Sequence, residues 1–155
     1  MSTFSASVRS EAVVPAERSA IWAALTDPHL LPTLTPLLSS IEADGDLWRW
    51  RLGNISALGV QISPVFTERM QFRPQTRIDY HHEPPAGVRE YSGAAGTYDL
   101  ADVSGGTRLR IALTLTVELP LPRLAAPAVE RVMRTTMERT GDRFSANLLT
   151  HLGVT

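Results

Sequence analysis

The sequence predicts an α+β fold, in which an antiparallel sheet of about six to seven strands is followed by one long C-terminal helix. Three observations support this prediction. Apolar and polar residues alternate in one segment after another between residue 4 and about residue 118, the links between these segments are short, and apolar residues then recur at helical spacing towards the C-terminus. With 155 residues, of which 43% are hydrophobic, the chain is expected to form a single domain over residues 1–155.

The first elements are a strand and two short helices. In "FSASVRSEAVV", Phe4, Ala6 and Val8 share one face, while serines and charged residues share the other, which is typical of a half-buried strand. Pro15 is suited to the first turn of a helix that continues through "AERSAIWAALT". Asp27 and Pro28 end this helix, and Asp27 is expected to cap a second one that the following prolines keep short.

Strands dominate the middle of the chain. The segments "SSIEAD" and "LWRWRLG" predict a hairpin that turns at Gly45-Asp46. Further strands are expected in "VQISPVFTERMQF", "RIDYHH", "REYSGAAGTYDLAD" and "TRLRIALTLTVEL", and their short links favour an antiparallel meander. After "PLPRLAAP", an amphipathic helix is expected to run to about Leu152, with Gly141 as a candidate bend.

The composition narrows the possible chemistry. The chain has no cysteine, which excludes disulfides and thiolate metal sites, and no lysine, which excludes Schiff-base catalysis. Arginine supplies all 15 basic residues, which favours a GC-rich bacterial genome. The net charge of −1 favours neither nucleic acid nor an anionic membrane as a partner. Without a signal peptide or a long apolar run, we expect a cytoplasmic protein with no integral membrane association.

Three stretches carry a resemblance to a known superfamily. "VPAERSAIWAALTDP" (residues 14–28), "GTYDLADVSGGTRLRI" (residues 96–111) and the amphipathic C-terminal helix resemble the helix-grip fold of the START-like, or SRPBCC, superfamily. This group includes polyketide cyclases, aromatases, lipid-transfer domains and relatives of the birch-pollen allergen. The resemblance implies a curved sheet wrapped around the long helix, with a cavity between them that is lined by the inward-facing residues of each strand.

The residues expected to face that cavity are large aromatics, methionines and a few polar groups, which suit a small apolar ligand. Those predicted to bind it are Trp48, Trp50, Phe66, Glu68, Met70, Tyr80, His82, Glu90, Ser92, Tyr98, Met133 and Met137. The alternative is that the apolar members simply fill the protein interior.

The polar candidates could act as catalytic acids or bases. Glu68 alternates in phase with Phe66 and Met70, and a buried carboxylate needs compensation. Glu68, His82 and Tyr80 are therefore candidate catalytic acid and base residues, with Glu90 expected close by. The alternative is a position at the sheet rim, or a bulge that reverses the alternation.

Metal and cofactor sites are not expected. His81 and His82 are adjacent in a strand and should face opposite sides of the sheet, so they cannot share an ion unless a bulge intervenes. No phosphate-binding loop, dinucleotide motif or nucleophile elbow is present, and we expect no cofactor.

Three functions fit these observations. The first is binding or transport of a hydrophobic or aromatic small molecule, such as a lipid, an isoprenoid or a polyketide-like compound. The second is a polyketide cyclase, aromatase or dehydratase, which would use acid and base residues of the cavity. The third is a non-catalytic accessory interaction domain with a filled interior. Both a monomer and a homodimer fit the sequence.

Overall fold

A computed structural model describes residues 1–154 of the chain. Its strands are β1 (Ser2–Val14), β2 (Leu38–Asp44), β3 (Leu47–Leu52), β4 (Ile55–Ala57), β5 (Val60–Ile62), β6 (Val65–Arg73), β7 (Arg77–His82), β8 (Ser92–Val103) and β9 (Gly106–Leu119). Its helices are α1 (Arg18–Leu25), α2 (Leu31–Leu34) and the 27-residue α3 (Ala126–Leu152), which a single 3₁₀ turn precedes.

The predicted α+β fold is confirmed. Seven strands form one antiparallel curved sheet in the order β1-β9-β8-β7-β6-β3-β2, so that the first two strands in sequence lie at its two edges. Helix α3 packs against β1, α1, α2 and β4, and its buried stripe consists of Val129, Met133, Met137, Phe144 and Leu148. Their helical spacing is the one that the sequence predicted for the face towards the core.

Three local expectations need correction. Helix α1 begins at Arg18, three residues after Pro15, because Ala16 N–H bonds to Val14 C=O at 2.8 Å and the chain turns tightly after β1. The segment "VQISPVFTERMQF" divides into β5 and β6 because Pro64 has no N–H to donate to a ladder. Strand β8 begins at Ser92, three residues later than the "REYS" alternation suggested.

The sequence did not predict β4 or the second, two-stranded sheet that it forms with β5. Strands β4 and β5 pair with each other through Ile55 and Ile62, and their turn places Leu58 and Gly59 at φ values of 48° and 79°. Two consecutive positive φ values are typical of a tight hairpin turn. A strand of three residues is too short to show an alternation, which explains why the sequence did not predict β4.

The outer face of the sheet carries paired charges. Arg69 and Glu83 approach within 2.6 Å, Arg77 binds both Asp79 and Asp99, and Arg110 pairs with Glu11. The outward-facing arginines of β6, β7 and β9 therefore contribute to a solvated surface with neighbouring acids. None of the helices within residues 1–154 is long and apolar enough to span a bilayer.

Candidate functional site

A cavity of about 230 Å³ lies between the inner face of the sheet and α3. Its apolar walls are formed by Val8, Leu31, Leu37, Leu38, Trp50, Leu52, Phe66, Tyr80, Ala94, Tyr98, Ile111, Leu113, Leu115, Met137 and Phe144. The polar residues on its rim are exposed, and they come from β1 (Arg9 and Ser10) and from α3 (Glu138 and Asp142). The cavity therefore opens to solvent between β1 and α3.

Along the inner face of β9, the side chains change from fully buried to half-buried where the strand reaches the cavity. Leu115 and Val117 are 4% and 2% exposed, and Val117 lies beside Val129 and Met133 of α3. Ile111 and Leu113, on the same face but further from these helical residues, are only half-buried. Their exposed apolar surface belongs to the cavity wall.

Gly141 lies at the exposed mouth of the cavity, on its α3 side. It lies on the inward stripe of the helix, one turn after Met137 and three residues before Phe144, and it lines the cavity. A Cβ atom built at this position would meet no atom within 4 Å. The helix continues from Ala126 to Leu152 through Gly141, where the sequence suggested a bend, and the missing side chain leaves open space at the cavity mouth.

A row of aromatic rings crosses the inner face of the sheet. The Trp50 ring stacks on Phe66 at 6.3 Å and on Tyr80 at 5.8 Å between ring centres, and Tyr80 lies 6.0 Å from Tyr98. Gly96 makes room for this row, since a Cβ atom there would lie 2.5 Å from the Tyr80 hydroxyl oxygen. All four aromatic side chains line the cavity.

Glu68 is a buried carboxyl on the same inner face. It is fully buried, with 0% of its surface exposed, and its Oε1 accepts a hydrogen bond of 2.8 Å from Ala94 N–H. Its Oε2 has no hydrogen-bond partner among residues 1–154. Burial raises the pKa of Glu68 to about 8, and the nearby Glu90 charge adds to the effect, while the Ala94 N–H opposes it. The side chain is therefore neutral at pH 7.

His82 and Glu90 form a separate polar cluster. His82 Nε2 lies 2.8 Å from Glu90 Oε1, and Glu90 accepts hydrogen bonds of 2.8 Å from both the N–H and the hydroxyl of Thr67. Burial would raise the pKa of Glu90, but the hydrogen bonds from Thr67 and His82 outweigh burial and lower it. Glu90 is thus held as a carboxylate.

This polar cluster lies outside the apolar cavity, contrary to the expectation for His82, Glu90 and Ser92. These three residues line a groove of about 300 Å³ with Gly93 and the outward threonines of β9. The physical reason lies at Gly93, where a Cβ atom would come within 2.5 Å of His82 Cγ. The imidazole packs directly over the glycine and reaches Glu90, so the alternation of the strand does not decide where it points.

The other predicted site residues divide into two sets. Trp50, Phe66, Tyr80, Tyr98 and Met137 line the cavity. Trp48, Glu68, Met70 and Met133 are buried and do not line it. Whether any of them binds a ligand stays a prediction. Of the three candidate catalytic residues, Tyr80 lines the cavity, Glu68 is buried without lining it, and His82 lies in the outer groove.

Several lining residues were missed by the sequence prediction of the site. Val8 lies on the apolar side of the β1 alternation, and Phe144 lies on the helical stripe, so both patterns carried a signal. Thr35, Pro36 and Leu37 belong to the link between α2 and β2, where no periodicity exists. The described residues also contain no group of three His, Asp or Glu side chains that could hold a metal ion.

Comparison with known proteins places this geometry in a family. The family model described as "Polyketide cyclase / dehydrase and lipid transport" matches residues 5–149. A search of curated proteins found no match.

Solved structures give the same fold. A START superfamily protein from Mycobacterium smegmatis is 16% identical, with a TM-score of 0.67, and the alignment covers 95% of this chain and 97% of that one. A protein from Thermus thermophilus is 21% identical, with a TM-score of 0.63 and coverage of 94% and 98%. The di-domain ARO/CYC StfQ from the steffimycin biosynthetic pathway is 11% identical, with a TM-score of 0.65, and the alignment covers 97% of this chain and 51% of that one. At these identities the likeness concerns the fold alone.

Proposed function

Because the chain belongs to the polyketide cyclase/dehydrase and lipid transport family, we propose that it binds an apolar small molecule in the cavity between the sheet and α3. The observation that carries the proposal is the open apolar wall itself. Large side chains such as Leu113 and Tyr98 face inwards and yet remain half-buried, because no protein atoms cover them. Bringing such a surface into contact with a ligand is favourable by about 25 cal/mol per Å².

The volume of the cavity limits the size of the ligand. An engineered cavity of about 150 Å³ holds one benzene molecule, so a space of about 230 Å³ suits roughly a bicyclic ring system. A longer isoprenoid or acyl chain would have to extend through the mouth past Arg9 and Asp142. Among the expected ligand classes, a compact aromatic or polyketide-like compound therefore fits better than a complete lipid.

The row of stacked rings supports an aromatic ligand. Trp50, Tyr80 and Tyr98 offer ring surface along the cavity wall, and a planar ligand can continue an offset-stacked or edge-to-face arrangement with them. Met137, on the opposite wall, is a flexible side chain that adapts to the shape of a ligand.

Filling the gap at Gly141 tests the proposal. Gly141→Phe places a ring at the mouth of the cavity, and Ala146→Phe adds the same ring at an exposed position of α3 that does not line the cavity, as a matched control. Isothermal titration calorimetry with tetralin, a bicyclic hydrocarbon, should show binding to the native protein and to Ala146→Phe, but at least tenfold weaker binding to Gly141→Phe. Equal affinity for all three proteins, or no binding to the native protein, would contradict the proposal.

A cyclase or dehydratase activity is the second candidate, and Glu68 is the observation that favours it. A carboxyl kept neutral near neutral pH can serve as a proton donor, and Glu68 adjoins the cavity wall through its hydrogen bond to Ala94. If the protein turns over a poly-β-ketone thioester, Glu68→Gln should abolish the turnover. His82→Ala should leave it nearly unchanged, because His82 lies in the outer groove. The accessory-domain hypothesis required a filled interior, which the open cavity disfavours.

A further inference from the structure

The surroundings of Glu68 show how it is separated from the cavity. In the sheet, Trp50 pairs with Phe66, and Tyr80 pairs with Met70, which leaves Glu68 between these two pairs on β6. The Trp50 ring nevertheless stacks on Tyr80, so the two rings meet across the strand that carries Glu68. Together with Phe66 and Ala94, they form the part of the cavity wall that surrounds this carboxyl.

Two polar atoms at this place lack partners. Among residues 1–154, the buried side-chain atoms without a hydrogen bond are Glu68 Oε2 and Trp50 Nε1. Both residues face inwards, and they are diagonal neighbours on paired strands, since Trp50 pairs with Phe66, and Trp48 pairs with Glu68. Diagonal neighbours lie about 7 to 8 Å apart, within reach of long and aromatic side chains. Two unpaired groups at such a position are costly unless something binds them.

The hydrogen-bonding character of the two groups is the same. Trp50 Nε1–H is a donor only. The Oε1 atom of Glu68 already accepts from Ala94 N–H, so a neutral Glu68 carries its proton on Oε2 and is a donor there too. Two donors at neighbouring inward positions match a carbonyl oxygen, which has two lone pairs and can accept from both.

We propose that Glu68 and Trp50 form the polar subsite of the cavity, and that the ligand is an apolar ring compound whose carbonyl oxygen accepts hydrogen bonds from both of them. This inference rests on the proposed binding function and specifies its ligand class. Because both polar atoms are buried, the proposal requires the Trp50 ring to turn away from Tyr80, so that its N–H faces the cavity and a ligand can reach Oε2. This part of the wall then becomes the end of the cavity that fixes the orientation of the ligand.

Three probes with the same bicyclic body test the subsite: tetralin, 1-tetralol and 1-tetralone, which are a hydrocarbon, an alcohol and a ketone. Their dissociation constants are measured at about pH 6.5 by calorimetry. The native protein should prefer the ketone over the hydrocarbon. Glu68→Met, which keeps the volume but removes the donor, should lose about tenfold in ketone affinity and keep its hydrocarbon affinity. Trp50→Phe, which keeps a ring in the aromatic row, should lose the ketone preference in part.

Glu68→Gln is the matched control, because its amide offers an acceptor to Ala94 N–H and a donor in place of the acid proton. It should keep the ketone preference. The charged and titratable groups around Glu68 are Tyr80 and His82 on β7 and Glu90 in the following link, and Glu68→Gln leaves all three in place. Above about pH 8, the native protein should lose the ketone preference as Glu68 ionises, whereas Glu68→Gln should keep it.

The outcomes separate this inference from the proposed function. Equal effects of Glu68→Met on tetralin and 1-tetralone would overturn the subsite while leaving the cavity as a binding site. Preference for 1-tetralol would also overturn it, because a hydroxyl group would then bridge an ionised Glu68 and the indole N–H. Failure of the native protein to bind any of the three probes would overturn the proposed function itself.

Discussion

Replacing Glu68 by glutamine should remove a pH dependence of stability that this one carboxyl creates. The pKa of Glu68 rises from the ordinary value of 4.5 to about 8 in the folded protein, mainly because of burial. The folded state therefore holds a proton that the unfolded chain releases between these two pH values. Because the folded state binds more protons in this window, the contribution of Glu68 to stability is full below pH 4.5 and is lost as the pH rises towards 8.

The size of this loss of stability follows from the raised pKa of Glu68. One pKa unit corresponds to about 1.4 kcal/mol, so the free energy of unfolding should fall by roughly that amount per pH unit between about pH 5 and about pH 8. The loss between pH 4.5 and pH 7 is on the order of 3 kcal/mol, which is a large part of the stability of a typical domain. The acids with lowered pKa, Glu11, Glu83 and Glu90, act below pH 4.5 and with the opposite sign.

Urea denaturation of the native protein and of Glu68→Gln, at about pH 5, 6, 7 and 8, measures this effect. The difference between the two free energies of unfolding isolates Glu68, because the other titrating groups are common to both proteins. The native protein should lose stability relative to the variant as the pH rises. A difference that stays constant across this range would show that Glu68 is ionised in the folded state and that the assigned protonation is wrong.

Three further predictions follow from single contacts. Glu90→Ala removes the acceptor for Thr67 N–H, the Thr67 hydroxyl and His82, and it should lower the free energy of unfolding by about 2 to 3 kcal/mol. It should also speed proteolysis within residues 83–91. Cleavage at the native rate would show that Glu90 does not anchor this segment. Gly96→Ala should destabilise the protein by more than about 2 kcal/mol, because its Cβ would collide with Ala112 C=O and the Tyr80 hydroxyl; an unchanged melting temperature would refute this. Gly141→Ala should stabilise α3 by about 0.5 to 1 kcal/mol in thermal unfolding, since its Cβ meets nothing within 4 Å; destabilisation would show that the gap is closed.

The fold was predictable from local patterns because each pattern reports on one element and its own burial. The alternation in β9 and the helical stripe of α3 each require a buried face, and short links between strands allow few arrangements other than a meander. The predictions were wrong where a backbone property overruled the side-chain pattern. Pro64 interrupts one predicted strand, and the tight turn at Ala16 delays the start of α1.

The candidate site was predictable only in part. The inward alternation correctly indicated that Trp50, Phe66, Tyr80 and Glu68 share a face, because neighbouring strands of a sheet preserve that relation. It was wrong to group His82 with them around the cavity, since a glycine on the next strand decides the position of its ring. The alternation within one strand does not show which residue of a neighbouring strand a side chain will contact.

The sequence by itself determined the α+β architecture, the inward faces and the presence of a carboxyl among apolar side chains, because these depend on the order of residues along single elements. Only the tertiary structure decided that a cavity remains, that Gly141 lies at its exposed mouth, and that Glu68 is buried beside the cavity wall with Oε2 unpaired among residues 1–154. These features depend on distances between strands and helices that are far apart in the chain. Close packing fixes those distances, and the periodicity of a single strand carries no information about them.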